Sequence, residues 1–204
     1  IFEDFVEDAK NVVKHFRKEE KFSNIIIAGH SEGSLIGMLV AQENADAFIS
    51  LAGAADPIDE IITEQVTNMA PELGASARTA FDEMAENGRT SNYSPMLEAV
   101  FRPSVQPFMA SWMKYDPSEE ISKLKIPVLV VNGTSDIQVS EEQAQKLAEA
   151  NENSELAILD QMNHIFRKIE TKDRLVNSKS YNEPNLPLHP ELVSILTEFV
   201  KELD

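Results

Sequence analysis

The feature that most constrains this chain is a series of short, unbroken, β-branched runs set between longer stretches of helical periodicity. Asn24-Ile25-Ile26-Ile27-Ala28 is the clearest of them. It is short for a helix and too uniformly apolar for a strand with one wet face. It reads as a strand buried on both faces, the kind found inside a parallel sheet. The runs at 47–52 and 126–132 have the same character, and 156–159 is a shorter fourth. Ahead of the first run, Phe2, Phe5, Val6, Ala9, Val12, Val13 and Phe16 recur with a 3.6-residue period, which predicts an amphipathic helix over 2–20. Further helices are predicted over 34–44, 140–150 and 190–203. Ser140 starts the second of these as an N-cap, with Glu141 and Glu142 in its first turn, where the helix dipole favours acids. Strands alternating with helices imply parallel βαβ units. The expected class is therefore α/β, a mostly parallel sheet with flanking helices.

Residues 57–120 break that pattern. Strand-like runs disappear, and helical patches are punctuated by Pro71, Gly74, Gly88, Pro95, Pro103 and Pro107. This predicts a helical insertion of about four short helices. It divides the chain into a first core segment (1–56), an insertion (57–120) and a second core segment (121–204). Met69, Met84, Met96, Met109 and Met113, with Phe101, Phe108 and Trp112, either line a pocket or form the insertion's own core; the second is the plainer reading. The stretch 160–190 reads mostly as loop.

Charge narrows the function classes. The chain of 204 residues carries 35 acidic and 18 basic side chains, a formal net charge of −17. Nucleic-acid binding is disfavoured, because phosphate contacts require Lys and Arg. No apolar run approaches the roughly 18 residues that a membrane span needs. There is no cysteine, so disulfides, thiolate catalysis and Cys-based metal sites are excluded, and the redox compartment is left open. No basic segment followed by an apolar stretch opens the chain, so no signal peptide is read and the localisation stays undetermined.

The most specific local signal is Gly29-His30-Ser31-Glu32-Gly33, between the first predicted strand and a predicted helix. A serine in that context sits on a tight, strained strand-to-helix turn that lifts its hydroxyl clear of the sheet edge. Both glycines are expected where the backbone passes too close to its neighbours for a Cβ. The following helix aims its first N–H groups at the site, and the Glu32 N–H is the natural oxyanion donor. The competing reading is an ordinary glycine-flanked βα turn.

Such a serine needs a base, and the base needs an orienting acid. Of the four histidines, His15 reads as surface and His189 as structural. His30 adjoins Ser31 on a turn whose successive side chains diverge, which makes it a poor base. His164, in Gln161-Met162-Asn163-His164-Ile165-Phe166 after the last strand, is the expected base, since loops at the C-terminal ends of parallel strands gather on one edge. Asp136, in the turn after 126–132, is the expected acid. Asp56 is its rival, and either could instead be a turn aspartate bonding its own backbone. Ser31, Asp136 and His164 then follow the chain order nucleophile, acid, base, each after a strand.

Gly-His-Ser-Glu-Gly after Ile-Ile-Ile, Ile-Pro-Val-Leu-Val-Val-Asn-Gly-Thr-Ser-Asp and Met-Asn-His together resemble the α/β-hydrolases of the serine aminopeptidase-like esterase and lysophospholipase branch. The resemblance covers most of the chain outside 57–120. It implies Ser31 as nucleophile, Asp136 as acid and His164 as base, a lid formed by the insertion, a small-molecule ester substrate, and no metal or cofactor. Peptidase or thioesterase chemistry on the same triad, and a catalytically silent binding module, are the alternatives. Family members carry several strands ahead of the one at 25–28, with a loop that gives the second oxyanion donor. This chain has one helix there. The sequence therefore predicts an open sheet edge, covered by a separate N-terminal segment or a second copy, and a chain that is not a stable monomer alone.

Overall fold

The computed structural model describes residues 1–171 and 173–203; Lys172 and Asp204, within the second core segment, lie outside the described residues. Four strands, β1 (Ile26–His30), β2 (Ala47–Leu51), β3 (Val128–Gly133) and β4 (Ser154–Leu159), form one parallel sheet in the order β1-β2-β3-β4. Side chains alternate across it. Phe48, Val128 and Val130 face a layer made by α1 (Phe2–Lys18), α2 (Glu32–Asn44), α7 (Pro117–Ser122) and α8 (Glu141–Glu149). Ala47, Ile49, Leu129 and Val131 face the closing helix α10 (Leu192–Lys201). This two-sided burial is why β2 and β3 read as continuous apolar runs.

Double burial fails for the first run. Ala28 and His30 are exposed and Ile26 and Ile27 only half-buried, because β1 is an edge strand that pairs, among the described residues, with β2 alone. Helix α1 is also only half covered. Phe2, Val6 and Val13 are buried against α2 and the insertion, while Ile1, Phe5, Val12 and Phe16 form an exposed apolar stripe.

Between β2 and β3 lie α3 (Ile58–Met69), α4 (Pro71–Asn87), a 3-10 turn (Pro95–Leu97), α5 (Glu98–Phe101), α6 (Gln106–Trp112) and α7. Two of these are longer than expected, at 12 and 17 residues. Ala77, Ala80, Phe81, Met84, Leu97, Phe101 and Met109 make a core separate from that of the sheet. Fully burying Phe81 and Phe101 contributes about 1.5–3 kcal/mol each relative to exposure. Of the methionines, Met84 and Met109 are core, and Met69 and Met96 are exposed. The expected boundary at 120 falls inside α7, whose Ile121 packs into the sheet core. The stretch 160–190 also contains a helix that periodicity did not announce, α9 (Arg174–Ser180). It is capped by Asp173, whose side chain accepts from the Leu175 N–H at 2.8 Å. Its Leu175 and Val176 are exposed and its buried residues are Asn177 and Ser180, so no apolar stripe marked it.

Candidate active site

Ser31 follows β1 at its C-terminal end and caps α2 with φ 54° and ψ −121°, a conformation that costs a non-glycine residue about 1–3 kcal/mol. The turn is held by the Ser31 N–H donating to the Leu51 carbonyl and the Ser34 N–H to the Ser31 carbonyl, both at 2.9 Å. The Ser31 hydroxyl makes no capping hydrogen bond, so it is free for other work. A Cβ on Gly29 would run into the Gly33 carbonyl and the Ser34 Cα, which explains that glycine. The expectation for Gly33 is overturned. A Cβ there meets nothing within 4 Å, because it is the Gly33 carbonyl, not its Cα, that approaches Gly29.

Glu32 opens α2, and its N–H belongs to the first turn, where no intrahelical acceptor exists. Its half-buried carboxyl is pushed above the usual carboxylate range by burial. Ser31 and Glu32 border a cavity of about 230 Å³ whose apolar wall includes Leu35, Ile58, Ile61 and Trp112. None of the methionines lines it.

Asp136 and His164 meet although they follow different strands. His164 Nδ1 lies 2.8 Å from Asp136 Oδ2, with the two side chains 4% and 0% exposed. A carboxylate only accepts, so Nδ1 carries a proton, and in the neutral ring Nε2 presents a lone pair. Asp136 Oδ1 accepts from the Gln138 and Val139 N–H groups at 2.8 and 2.9 Å. The turn role and the pairing role thus coexist, one on each oxygen. Asn132 shapes the same loop by donating from Nδ2 to the Val139 and Ser140 carbonyls at 3.1 and 3.0 Å.

Asp56 is elsewhere. It accepts from Gln143 Nε2 at 2.6 Å and from Lys146 Nζ at 2.7 Å. Burial would raise its pKa, but these two partners outweigh it and hold the carboxyl below its ordinary range. His15 is exposed beside Glu19. His189 is buried, with Nε2 donating to the Asp160 carbonyl at 3.0 Å. His30 points its Nε2 at the His164 carbonyl, 2.8 Å away. Ser31 Oγ and His164 Nε2 form no hydrogen bond among the described residues.

Sequence reading missed the residues that brace the base loop. Asn163 is buried and donates to Asn177 Oδ1 at 3.0 Å and Ser180 Oγ at 2.9 Å, both on α9, while its Oδ1 accepts from the Arg167 N–H at 2.9 Å. Asn177 Nδ2 in turn donates to the Ser135 carbonyl at 2.7 Å, linking the base loop to the acid loop. Among the described residues no group of three or more His, Asp or Glu side chains is placed to hold a metal ion, and no helix is long and apolar enough to cross a membrane.

The fold is that of the α/β hydrolases. The chain belongs to the family described as serine aminopeptidase, S33 (Hydrolase_4), which matches residues 1–168. It is 26% identical over 186 residues to the esterase EstD of Thermotoga maritima, covering 84% of this chain and 42% of that protein. The chain thus spans less than half the length of that relative. Among solved structures it is similar to an α/β-fold hydrolase from Bacillus anthracis (TM-score 0.56, 13% identity, 98% of this chain and 74% of that one). It is also similar to an esterase from Pyrococcus furiosus (TM-score 0.56, 17% identity, 97% of this chain and 61% of that one).

Proposed function

We propose that this chain carries the catalytic residues of a serine hydrolase that cleaves carboxylic esters through an acyl-enzyme. The observation that carries the reading is the buried 2.8 Å Asp136–His164 pair, on the same sheet edge as the strained, uncapped Ser31 turn. The His30 and His164 rings, 4.8 Å between centroids, bring the residue beside the nucleophile against the base. His164 Nε2 takes the proton as Ser31 Oγ attacks the ester carbonyl. The hydrogen bond between them forms as substrate binds, as apo sites of this kind often require. Asp136 holds the imidazole tautomer and stabilises its charged form. The oxyanion rests on the Glu32 N–H at the positive end of α2. His164 then protonates the leaving alcohol, and water activated by the same ring releases the acid.

The apolar cavity bordered by Ile58, Ile61 and Trp112 takes the acyl group, and the helices over 57–120 serve as the lid. The EstD likeness supports an ester over a peptide or thioester substrate. The unpaired edge of β1 and the apolar stripe of α1 support a covering segment or second copy, which would also bring the second oxyanion donor. The test is hydrolysis of p-nitrophenyl butyrate by this chain beside Ser31→Ala, with fluorophosphonate labelling as a second readout. Hydrolysis and labelling that both vanish in the variant carry the assignment. Labelling that persists in Ser31→Ala removes it.

A further inference from the structure

We propose that His30 is a positioning residue: by donating from Nε2 to the His164 carbonyl it locks the base loop to the nucleophile turn, so that the two move as one unit. This rests on the assignment of His164 as the base.

The loop from Gln161 to Arg167 is otherwise anchored to one side only. Its Met162 carbonyl accepts from the Ser135 N–H of the acid loop at 3.0 Å. Its Phe166 carbonyl accepts from the His189 N–H at 2.7 Å, and Asn163 reaches to α9. Internally it is closed by the Asn163 N–H donating to the Arg167 carbonyl and the Phe166 N–H to the Asn163 carbonyl, both at 2.9 Å. All these bonds fix the loop relative to β3, β4 and the C-terminal segment. None reaches β1 or α2, where the nucleophile sits. Among the described residues the single hydrogen bond that crosses is His30 Nε2 to His164 O, 2.8 Å.

The ring is held for that task from two sides. Its centroid lies 4.8 Å from that of His164 and 4.7 Å from that of Phe166, the latter edge-on at 60°. Phe166 itself has φ 66°, an unfavourable backbone for a bulky side chain. The loop therefore accepts local strain while pressing that ring against His30. A carbonyl only accepts, so the bond requires a proton on His30 Nε2 and, in the neutral ring, leaves Nδ1 bare. Partial burial of the ring pushes the His30 pKa below its usual value, which favours the neutral form.

The consequence is a matter of register. The base must meet a serine carried on a different strand, and a misplacement of about 1 Å between reacting groups costs on the order of 100-fold. A clamp on the backbone of His164 sets that register without touching substrate.

The test separates packing from hydrogen bonding. His30→Phe keeps an aromatic ring against Phe166 and His164 and removes the donor. His30→Gln loses the ring and keeps an N–H at about the reach of Nε2. The expected result for His30→Phe is a fall in kcat of roughly 10- to 100-fold with KM unchanged, and His30→Gln recovers most of it. The readout independent of turnover is ¹H–¹⁵N NMR of the imidazoles in the full chain. His30 shows an Nε2–H, and the Asp136-bound Nδ1–H of His164 is sharp in the wild type and His30→Gln but broadened in His30→Phe. A wild-type chain without esterase activity counts against the ester reading, while the NMR still decides the clamp. A His30 proton on Nδ1, a His164 signal unchanged in His30→Phe, or His30→Gln as impaired as His30→Phe overturns the proposal.

Discussion

The two ends of the candidate site differ in how completely this chain finishes them. At the acid–base end, Asp136, Asn163, His164 and His189 are buried, and each is tied to neighbours on β3, β4, α9 or the C-terminal segment. At the nucleophile end, β1 has one free edge among the described residues. Phe5, Val12 and Phe16 of α1, which packs on α2, are 53%, 56% and 43% exposed. The contrast teaches that a site's chemistry and its shelter are separable. Polar networks closed over short distances set the His–Asp geometry, whereas the nucleophile's surroundings depend on apolar surface that these residues leave bare. Among the described residues a single hydrogen bond, from His30 to the base loop, spans the gap between the two ends.

The sharpest way to break the comparison is at the residues themselves. Ser31→Ala is expected to lower kcat by about 10⁶-fold in an ester hydrolysis assay. Asp136→Asn should cost about 10⁴-fold by forcing the wrong His164 tautomer. Asp56→Asn, at the rival acid, should change the same rate less than tenfold; a loss as large as that of Asp136→Asn would transfer the acid's role.

Stability gives smaller effects. Gly29→Ala should destabilise by about 1–3 kcal/mol in urea unfolding, since its Cβ has no room beside Gly33. Gly33→Ala should be neutral or stabilise by up to about 1 kcal/mol, because the added Cβ meets open space in a helical first turn. A loss at Gly33 comparable to that at Gly29 would show that this face is covered in solution.

The Asp56–Lys146 pair supplies the smallest effect. Lys146 is 53% exposed, so screening limits the pair to roughly 0–1 kcal/mol. The folded pKa of Asp56 is depressed, so its contribution is present above the ordinary carboxylate range. It is lost as pH falls through the lowered folded value. Thermal melts of wild type and Asp56→Asn should therefore differ slightly at pH 7 and converge in acid. A difference that grows on acidification would contradict the ion pair.

The Ser31 turn was legible because its signal is local: a β-branched run, a glycine-flanked serine and a helix lie within a few residues. The order of Ser31, Asp136 and His164 was legible because each follows its own strand. The braces Asn132, Asn163, Asn177 and Ser180 were not, since a buried polar residue satisfied by distant partners leaves no periodicity. For the same reason α9 was invisible: its inward face is polar.

What the sequence alone determined is therefore the alternation of strands and helices, the insertion between β2 and β3, the acidic charge and the three residues on which chemistry is proposed. Only the tertiary structure decided that Asp136 rather than Asp56 meets His164. It also decided that β1 is an edge, that Gly33 has room for a side chain, and that His30 reaches the loop of the base. For Gly33 the reason is local backbone geometry, since it is its carbonyl that approaches Gly29 four residues earlier. The other three depend on which backbone groups and surfaces approach across more than a dozen residues of chain, and pairwise approach in space has no signature in local composition or period.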